Sequence, residues 1–220
     1  MHFKNTPPTF FDSQQHGAGC ELFIVEGESA GNAVVALRDS RFQAVLPLQG
    51  KPLNAVRAGA QRARVFPFFA ALQDALGVPG GLADDAAIEA PALRFERTLL
   101  LFDPDADGIH IGALMQMYFH TCLRPLLRAG AVWAVQPPWL QFDLSGSTEP
   151  LFAYSHSQAL HLAQQLRAAA TPFTTLRPRG LAGIEMATLR RRCVDPATRL
   201  VRVLTEADAR MAMNVFAVDV

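Results

Sequence analysis

The chain is almost without lysine. Lys4 and Lys51 are the only two among its 220 residues, so nearly all of the 20 basic side chains are arginine. The acidic residues also number 20, which leaves a formal net charge of zero. No global attraction to nucleic acid or to an anionic membrane follows, and any such contact must come from a local patch. Cysteine is scarce as well. Cys20, Cys122 and Cys193 form no CxxC pair and no metal-ligand spacing with the six histidines. A sparse, odd count fits buried thiols in a reducing compartment. The opening, MHFKNTPPTFFDSQQ, lacks the apolar stretch of a signal peptide. No run of about 18 apolar residues occurs, so a transmembrane helix and a membrane partner are not expected, and the expected location is cytoplasmic. Internal repeats and low-complexity tracts are also missing. What remains is a chain that is 50% hydrophobic and only 18% charged, which excludes global disorder. Its length suits one domain, or one domain with a small appendage.

Apolar runs of strand length end in turns rich in acid, glycine or proline. Glu21 to Val25 stops at Glu26-Gly27-Glu28-Ser29-Ala30-Gly31, and Ala33 to Leu37 then reads as helix. This strand, tight turn and helix open a parallel α/β unit. Phe42 to Leu46 is a second strand, closed by Pro47-Leu48-Gln49-Gly50-Lys51. Residues 54–76 are Ala-rich and helical, broken near Pro67, and residues 82–92 are weakly patterned. Thr98 to Phe102 is continuously apolar, as a central parallel strand should be. It runs into Asp103-Pro104-Asp105-Ala106-Asp107-Gly108, and Ile109 to Leu127 reads as helix. Ala131 to Val135 is a further strand, and beyond residue 144 the composition shifts. A helix is expected near Ser157 to Ala168, followed by an Arg-rich segment from Arg177 to Arg202. The fold class is α/β.

Both acidic turns follow buried strands. Open parallel sheets collect their chemistry at the carboxyl ends of the strands, so Glu26 should meet Asp103, Asp105 and Asp107 at one edge. Four carboxylates raise one another's pKa and need a cation to stay ionised. Mg²⁺ takes oxygen ligands, with one or two carboxylates plus water and phosphate, and paired ions stabilise both oxygens of a phosphoryl transfer. Two plainer readings compete. An EF-hand would require Glu near position 114, which is Leu114. An acidic residue after a strand also serves as a helix N-cap. Glu28 reads equally well as a carboxylate favoured by a helix N-terminus.

The blocks Glu21 to Gly31, Arg41 to Asn54, LLLFDPDADGIHI (Leu99 to Ile111) and AVWAVQPPWL (Ala131 to Leu140) occur in order. Phe152 to Ser155, Arg179-Gly180-Leu181 with Glu185-Met186, and Val194 to Val203 follow. Together they resemble the TOPRIM domain and C-terminal tail of type II DNA topoisomerase B subunits, those of gyrase and topoisomerase IV, over roughly residues 10–210. The resemblance implies a Rossmann-like TOPRIM parallel sheet flanked by helices, with a small C-terminal α+β tail. Its division would be an extension over 1–19, the TOPRIM domain over 20–143 and the tail over 144–220. It implies Mg²⁺, with Mn²⁺ as substitute, for DNA cleavage and religation alongside a tyrosine-bearing A subunit. By position, Glu26, Asp103 and Asp105 with Lys51 and His110 would be catalytic. Glu26, Asp103, Asp105 and Asp107 would hold metal, and Lys51 and Arg179 would contact DNA, joined by Arg190 and Arg191 if the Arg-rich run is a DNA stripe.

The chain departs from the family's pattern in charge. The family usually has Lys at Val35, Arg at Gln49 and Gly112, and Ser at Ile109, so DNA affinity should be lower, by about one unit of salt slope per lost phosphate contact. The Arg-rich run Arg190 to Arg192, with Arg199 and Arg202, reads either as a solvated face or as a DNA-backbone stripe that replaces the lost charges. Tyr118 and Tyr154 read as packing residues rather than nucleophiles. The resemblance starts a few residues after Met1, so the family's ATPase and transducer domains are expected to be missing. Gly77 to Gly81 lacks the Lys and Ser/Thr of a phosphate loop, so no ATP is expected to bind this chain alone. Two other readings are a non-catalytic regulator that occupies the A subunit and a stand-alone TOPRIM nuclease.

Overall fold

The computed structural model describes residues 8–83 and 93–216. The weakly patterned stretch therefore falls, from residue 84 to 92, outside the described residues. The first apolar run becomes strand β1 (Gly17–Glu26), longer at its start than Glu21. Its side chains alternate between two packed layers, Leu22 and Ile24 in one, Phe23 and Val25 in the other. Strands β2 (Gln43–Leu48) and β3 (Phe95–Leu101) do the same. Each such side chain contributes about 1.5–3 kcal/mol by leaving water, which holds the sheet between two helical layers.

With β4 (Val132–Val135), these strands form a parallel sheet in the order β2-β1-β3-β4. The expected parallel α/β sheet is present, with one addition. Strand β8 (Val201–Val203), from the Arg-rich segment, adds to the edge antiparallel to β4.

Helix α1 (Glu28–Leu37) lies on one face. The Ala-rich stretch is three helices, α2 (Ala55–Ala58), α3 (Ala60–Arg64) and α4 (Pro67–Leu76). Pro67 is the first residue of α4, where its missing N–H costs nothing. Gly59, at φ +78°, makes the second break. The helix read as Ile109 to Leu127 starts earlier and is split into α5 (Ala106–Cys122) and α6 (Arg124–Arg128). Pro125 cannot continue the hydrogen-bond ladder of α5, and Leu123 leaves helical geometry at φ −138°. Tyr118 is wholly buried in α5 and stacked on Phe69, with ring centroids 3.7 Å apart. It packs, as its surroundings in the sequence suggest.

The small second sheet is antiparallel. It comprises β5 (Leu140–Leu144), β6 (Leu151–Ala153) and β7 (Phe173–Leu176) in the order β6-β5-β7. Helix α7 (His156–Ala168) covers it, capped by Ser155, whose Oγ accepts from the Gln158 N–H. Phe142, Ala153, Ala159 and Leu166 form its core. Strand β5 runs across residues 143 and 144, so the small sheet begins before the compositional shift. The chain then returns to the main sheet through a 3-10 turn (Leu181–Gly183), α8 (Met186–Leu189), a π-helical turn (Arg190–Val194), β8 and α9 (Glu206–Phe216). Helix α9 packs on α5 through Ala113, Met117 and Ala212.

Arg199 fits neither reading of the Arg-rich run. Its side chain is 2% exposed and forks onto Glu21, equally buried at the start of β1's apolar run. Arg199 Nη1 donates to Glu21 Oε2 at 2.8 Å and to the Val194 carbonyl at 3.0 Å; Nη2 donates to Glu21 Oε1. Gln43 Nε2 donates to Glu21 Oε2 at 2.9 Å. The guanidinium is buried because Glu21 faces the tail side of the sheet, where a bare carboxylate would be intolerable. Arg199→Ala should cost about 1.5–3 kcal/mol of unfolding free energy, because it leaves buried Glu21 with only the Gln43 amide and, at 3.8 Å, Arg97. Replacing Glu21 and Arg199 together by Leu and Met should recover most of that loss. Urea unfolding checks both; a single-variant loss below about 1 kcal/mol would contradict the assignment.

Candidate active site

The chain leaves β1 on one side for β2 and comes back on the other as β3. The crevice between the carboxyl ends of β1 and β3 is therefore a topological switch point, the place where open α/β sheets bind ligands. Val25 and Leu101 are in register, so Glu26 and the Phe102-Asp103 pair leave the sheet side by side.

Glu26 is half-buried. Its carboxylate accepts from the Asp103 N–H, while Oε2 is buried without a partner. Burial, then the charges of Asp103, Asp105 and Asp107, push its carboxyl up to about 7. The acidic turn itself is shaped by helix capping. Asp105 is the N-cap of α5, its Oδ1 accepting from the Gly108 N–H at 2.9 Å. A Cβ on Gly108 would stand 2.0 Å from the Asp103 carbonyl oxygen, so the turn closes only over glycine. The cap reading holds for Asp105, which also adds its charge to the cluster around Glu26.

Asp103 faces the tail. Its Oδ1 accepts from the Leu181 N–H at 2.7 Å. Burial raises its carboxyl, opposed by the Leu181 amide and reinforced by Asp105. Gly180 sits directly against it at φ +74°, and a Cβ there would approach Asp103 Oδ2 to 2.6 Å. Asp107, exposed in the first turn of α5, pairs with Lys51 Nζ at 2.7 Å, and that contact holds its carboxyl below the usual range. Lys51 arrives from the loop after β2. Gln49, from the same loop, donates to Glu28 at 2.8 Å.

Glu26, Asp103, Asp105, Asp107 and Lys51 are thus brought together, and Arg179 lies beside them. His110 stands near enough to Asp107 to help lower its carboxyl, after Lys51 has done most of that. Its ring stacks on Phe216 at 5.3 Å, and it makes no hydrogen bond or ion pair with Glu26. Arg190 stands near enough to Asp39 to lower its carboxyl, after Arg41 has done most of that. Asp39 lies beyond the far end of α1, about 15 Å of helix away from Glu28. Arg191 pairs with Glu149 at 3.0 Å. Neither arginine is at the acidic edge. Tyr154 is partly exposed rather than core, lining a cleft between the main sheet and α7.

Among the described residues, no three His, Cys, Asp or Glu side chains stand ready as one ligand set. Asp103 and Asp107 are held by the tail and by Lys51. The chemistry of the edge still suits a hard cation. Glu26 presents an unpartnered buried oxygen beside three more carboxylates, and Mg²⁺ asks for few protein ligands because it keeps its water.

Nothing in the sequence pattern signals the Gly180 contact, which joins residues far apart in the chain. Gly180→Ala should move the tail off Asp103 and lower stability by roughly 1–3 kcal/mol, from strain at positive φ and the contact with Asp103. Calorimetric melting tests it, and an unchanged midpoint would contradict the clamp. Glu26 gives a pH dependence. Its folded carboxyl lies above its ordinary 4.5, so its contribution to stability is complete below that value and disappears as pH rises through about 7. Glu26→Gln should therefore gain stability relative to the parent as pH rises from 5 to 8 in metal-free buffer. A constant difference across that range would contradict the placement.

Comparison with known proteins bears on the family. The sequence profile of the Toprim domain family matches residues 21–137, more than half of the chain. The DNA gyrase B subunit of Archaeoglobus fulgidus is 32% identical over 198 residues, covering 90% of this chain and 30% of that protein. The DNA gyrase B subunit of Halalkalibacterium halodurans is 34% identical over 196 residues, covering 89% and 30%. That of Thermus thermophilus is 39% identical over 139 residues, covering 63% and 22%. The chain spans less than a third of the length of these curated relatives. The acidic switch point and the long similarity to gyrase B subunits lead to one conclusion: the chain belongs to the Toprim domain family.

Proposed function

We propose that the chain is the DNA-cleaving Toprim module of a type II topoisomerase, working with an A subunit that carries the attacking tyrosine. The observation that carries this reading is Glu26. It is a carboxyl pushed up to about 7, with one buried oxygen unpartnered, at a switch point shared with three aspartates. A group that titrates near neutral pH can give a proton to the 3′ oxygen leaving a phosphodiester, and take it back when the strand is resealed. Asp105 holds the turn in shape and keeps negative charge close to Glu26. Lys51 and Arg179 flank the acids, where a phosphate of the backbone would be oriented. Glu26, Asp103 and Asp105 are the residues that would hold Mg²⁺, or Mn²⁺ in its place; bound there, the ion would stabilise charge on the attacking and leaving oxygens. One phosphoester replaces another in this exchange, so the step needs no nucleotide, and the chain by itself is proposed to bind no ATP.

A second reading is favoured by one observation: Asp103 and Asp107 are already engaged by Leu181 and Lys51. A regulator that seats on the A subunit without catalysis would tolerate that. Plasmid incubation with the host's A subunit, in Mg²⁺ or Mn²⁺ and without ATP, separates the two. The catalytic reading predicts protein-linked breaks that require both chains. Glu26→Gln should lower them by about 10²–10⁴-fold. Asp105→Asn should also abolish them while leaving the fold intact, because Asn caps helices as well as Asp does. Undiminished cleavage by Asp105→Asn would contradict the catalytic reading; a stable complex with no breaks would favour the regulator.

A further inference from the structure

Several arginines of this chain are already paired. Arg41, Arg94, Arg191, Arg199, Arg202 and Arg210 each pair with a carboxylate. Arg177 and Arg179 do not. Both are exposed, neither forms an ion pair with any described residue, and both line one cleft of about 670 Å³ beside Asp103 and Asp105.

Arg177 is also held in place. Its Cζ lies 4.4 Å from the centre of the Trp139 ring. Trp139 is fixed in turn, its backbone N–H donating to the Ala153 carbonyl at 2.8 Å and its ring meeting His156 edge-on at 5.4 Å. A guanidinium stacked by its face keeps its in-plane N–H donors free, the arrangement that suits a phosphate. The stacking also excludes an alternative. The Trp139 face that could receive an unpaired base is covered by Arg177, so the cleft is not built for base stacking. The aspartates on the facing wall repel a free dianion more than the single charge of a phosphodiester.

We infer that Arg177, perched on Trp139, is a DNA-phosphate contact that extends the backbone path from Arg179 along the small sheet, offsetting the charges missing at Gln49 and Gly112. This rests on the reading of the chain as a DNA-cleaving module. The contact is with the sugar-phosphate backbone, so it is independent of base sequence.

The test is fluorescence anisotropy of the full chain with a short blunt DNA duplex of mixed sequence, measured over a series of salt concentrations. Arg177→Ala should reduce the slope of log affinity against log salt by about 0.9. Arg177→Lys should keep the slope and lose affinity, because the ammonium lacks the flat face that stacks. Trp139→Leu should likewise keep the slope and weaken binding; the thermal midpoint reports whether that variant is folded, and the Arg177 variants decide the matter alone if it is not. Arg210→Ala removes the same charge from α9, outside the cleft, and should leave the slope unchanged. An unaltered slope in Arg177→Ala, or an equal fall in Arg210→Ala, would overturn this inference alone. A parent chain that binds no duplex at any salt would overturn it together with the functional reading beneath it.

Discussion

Four carboxylates at one strand edge repel one another, and the rest of the structure is arranged around that repulsion. The order of the strands places Glu26 and Asp103 on either side of the switch point, with no freedom to separate. Each aspartate is then given a counterweight. Asp105 takes an amide of α5, Asp107 takes Lys51, and Asp103 takes an amide of the tail. Glu26 receives the least. One oxygen has only the Asp103 N–H and the other has nothing; burial, then the charges of the three aspartates, hold its proton to about neutral pH. A group in that condition is poor as a structural element and well suited to exchanging a proton or accepting a cation.

The tail is tied to the sheet in two places. Arg199 reaches Glu21 at the start of β1's apolar run, and Leu181 reaches Asp103 beyond the end of β3, beside Glu26, with about 17 Å of strand between Glu21 and Glu26. The buried ion pair is a weak source of net stability, but its loss would strand a charge. From the same tail, Gly180 lies against Asp103, and Arg177 and Arg179 line a cleft with Asp103 and Asp105. Strand β8 and helix α9 carry the same path onward to the far edge of the sheet.

Much of this was legible in the sequence because short-range rules control it. Continuous apolar runs between acidic turns specified the parallel strands, and Pro67 specified the start of α4. The convergence of Glu26 with the three aspartates follows from strand ends alone. What could not be read depends on residues far apart in the chain. Arg199 looks like a member of a surface run until Glu21, 178 positions earlier, is seen to need it. Arg190 and Arg191 follow Arg179 closely in the chain, yet Arg190 lies near Asp39 and Arg191 pairs with Glu149. His110 follows the acidic signature directly and stays near Asp107, while its ring also meets Phe216, a contact no local pattern shows. Gly180 and Trp139 carry no chemistry of their own, and only their neighbours give them a role.

If Glu26 and the aspartates form one coupled site, a hard cation that binds there must displace the Glu26 proton. Calorimetric titration of the chain with Mg²⁺ near pH 6.5, in buffers of different ionisation enthalpy, measures that coupling directly. Proton release on binding, tighter binding at pH 8 than at pH 6, and loss of the proton release in Glu26→Gln are the expected results. Binding without proton release, or release that persists in Glu26→Gln, would contradict a coupled site.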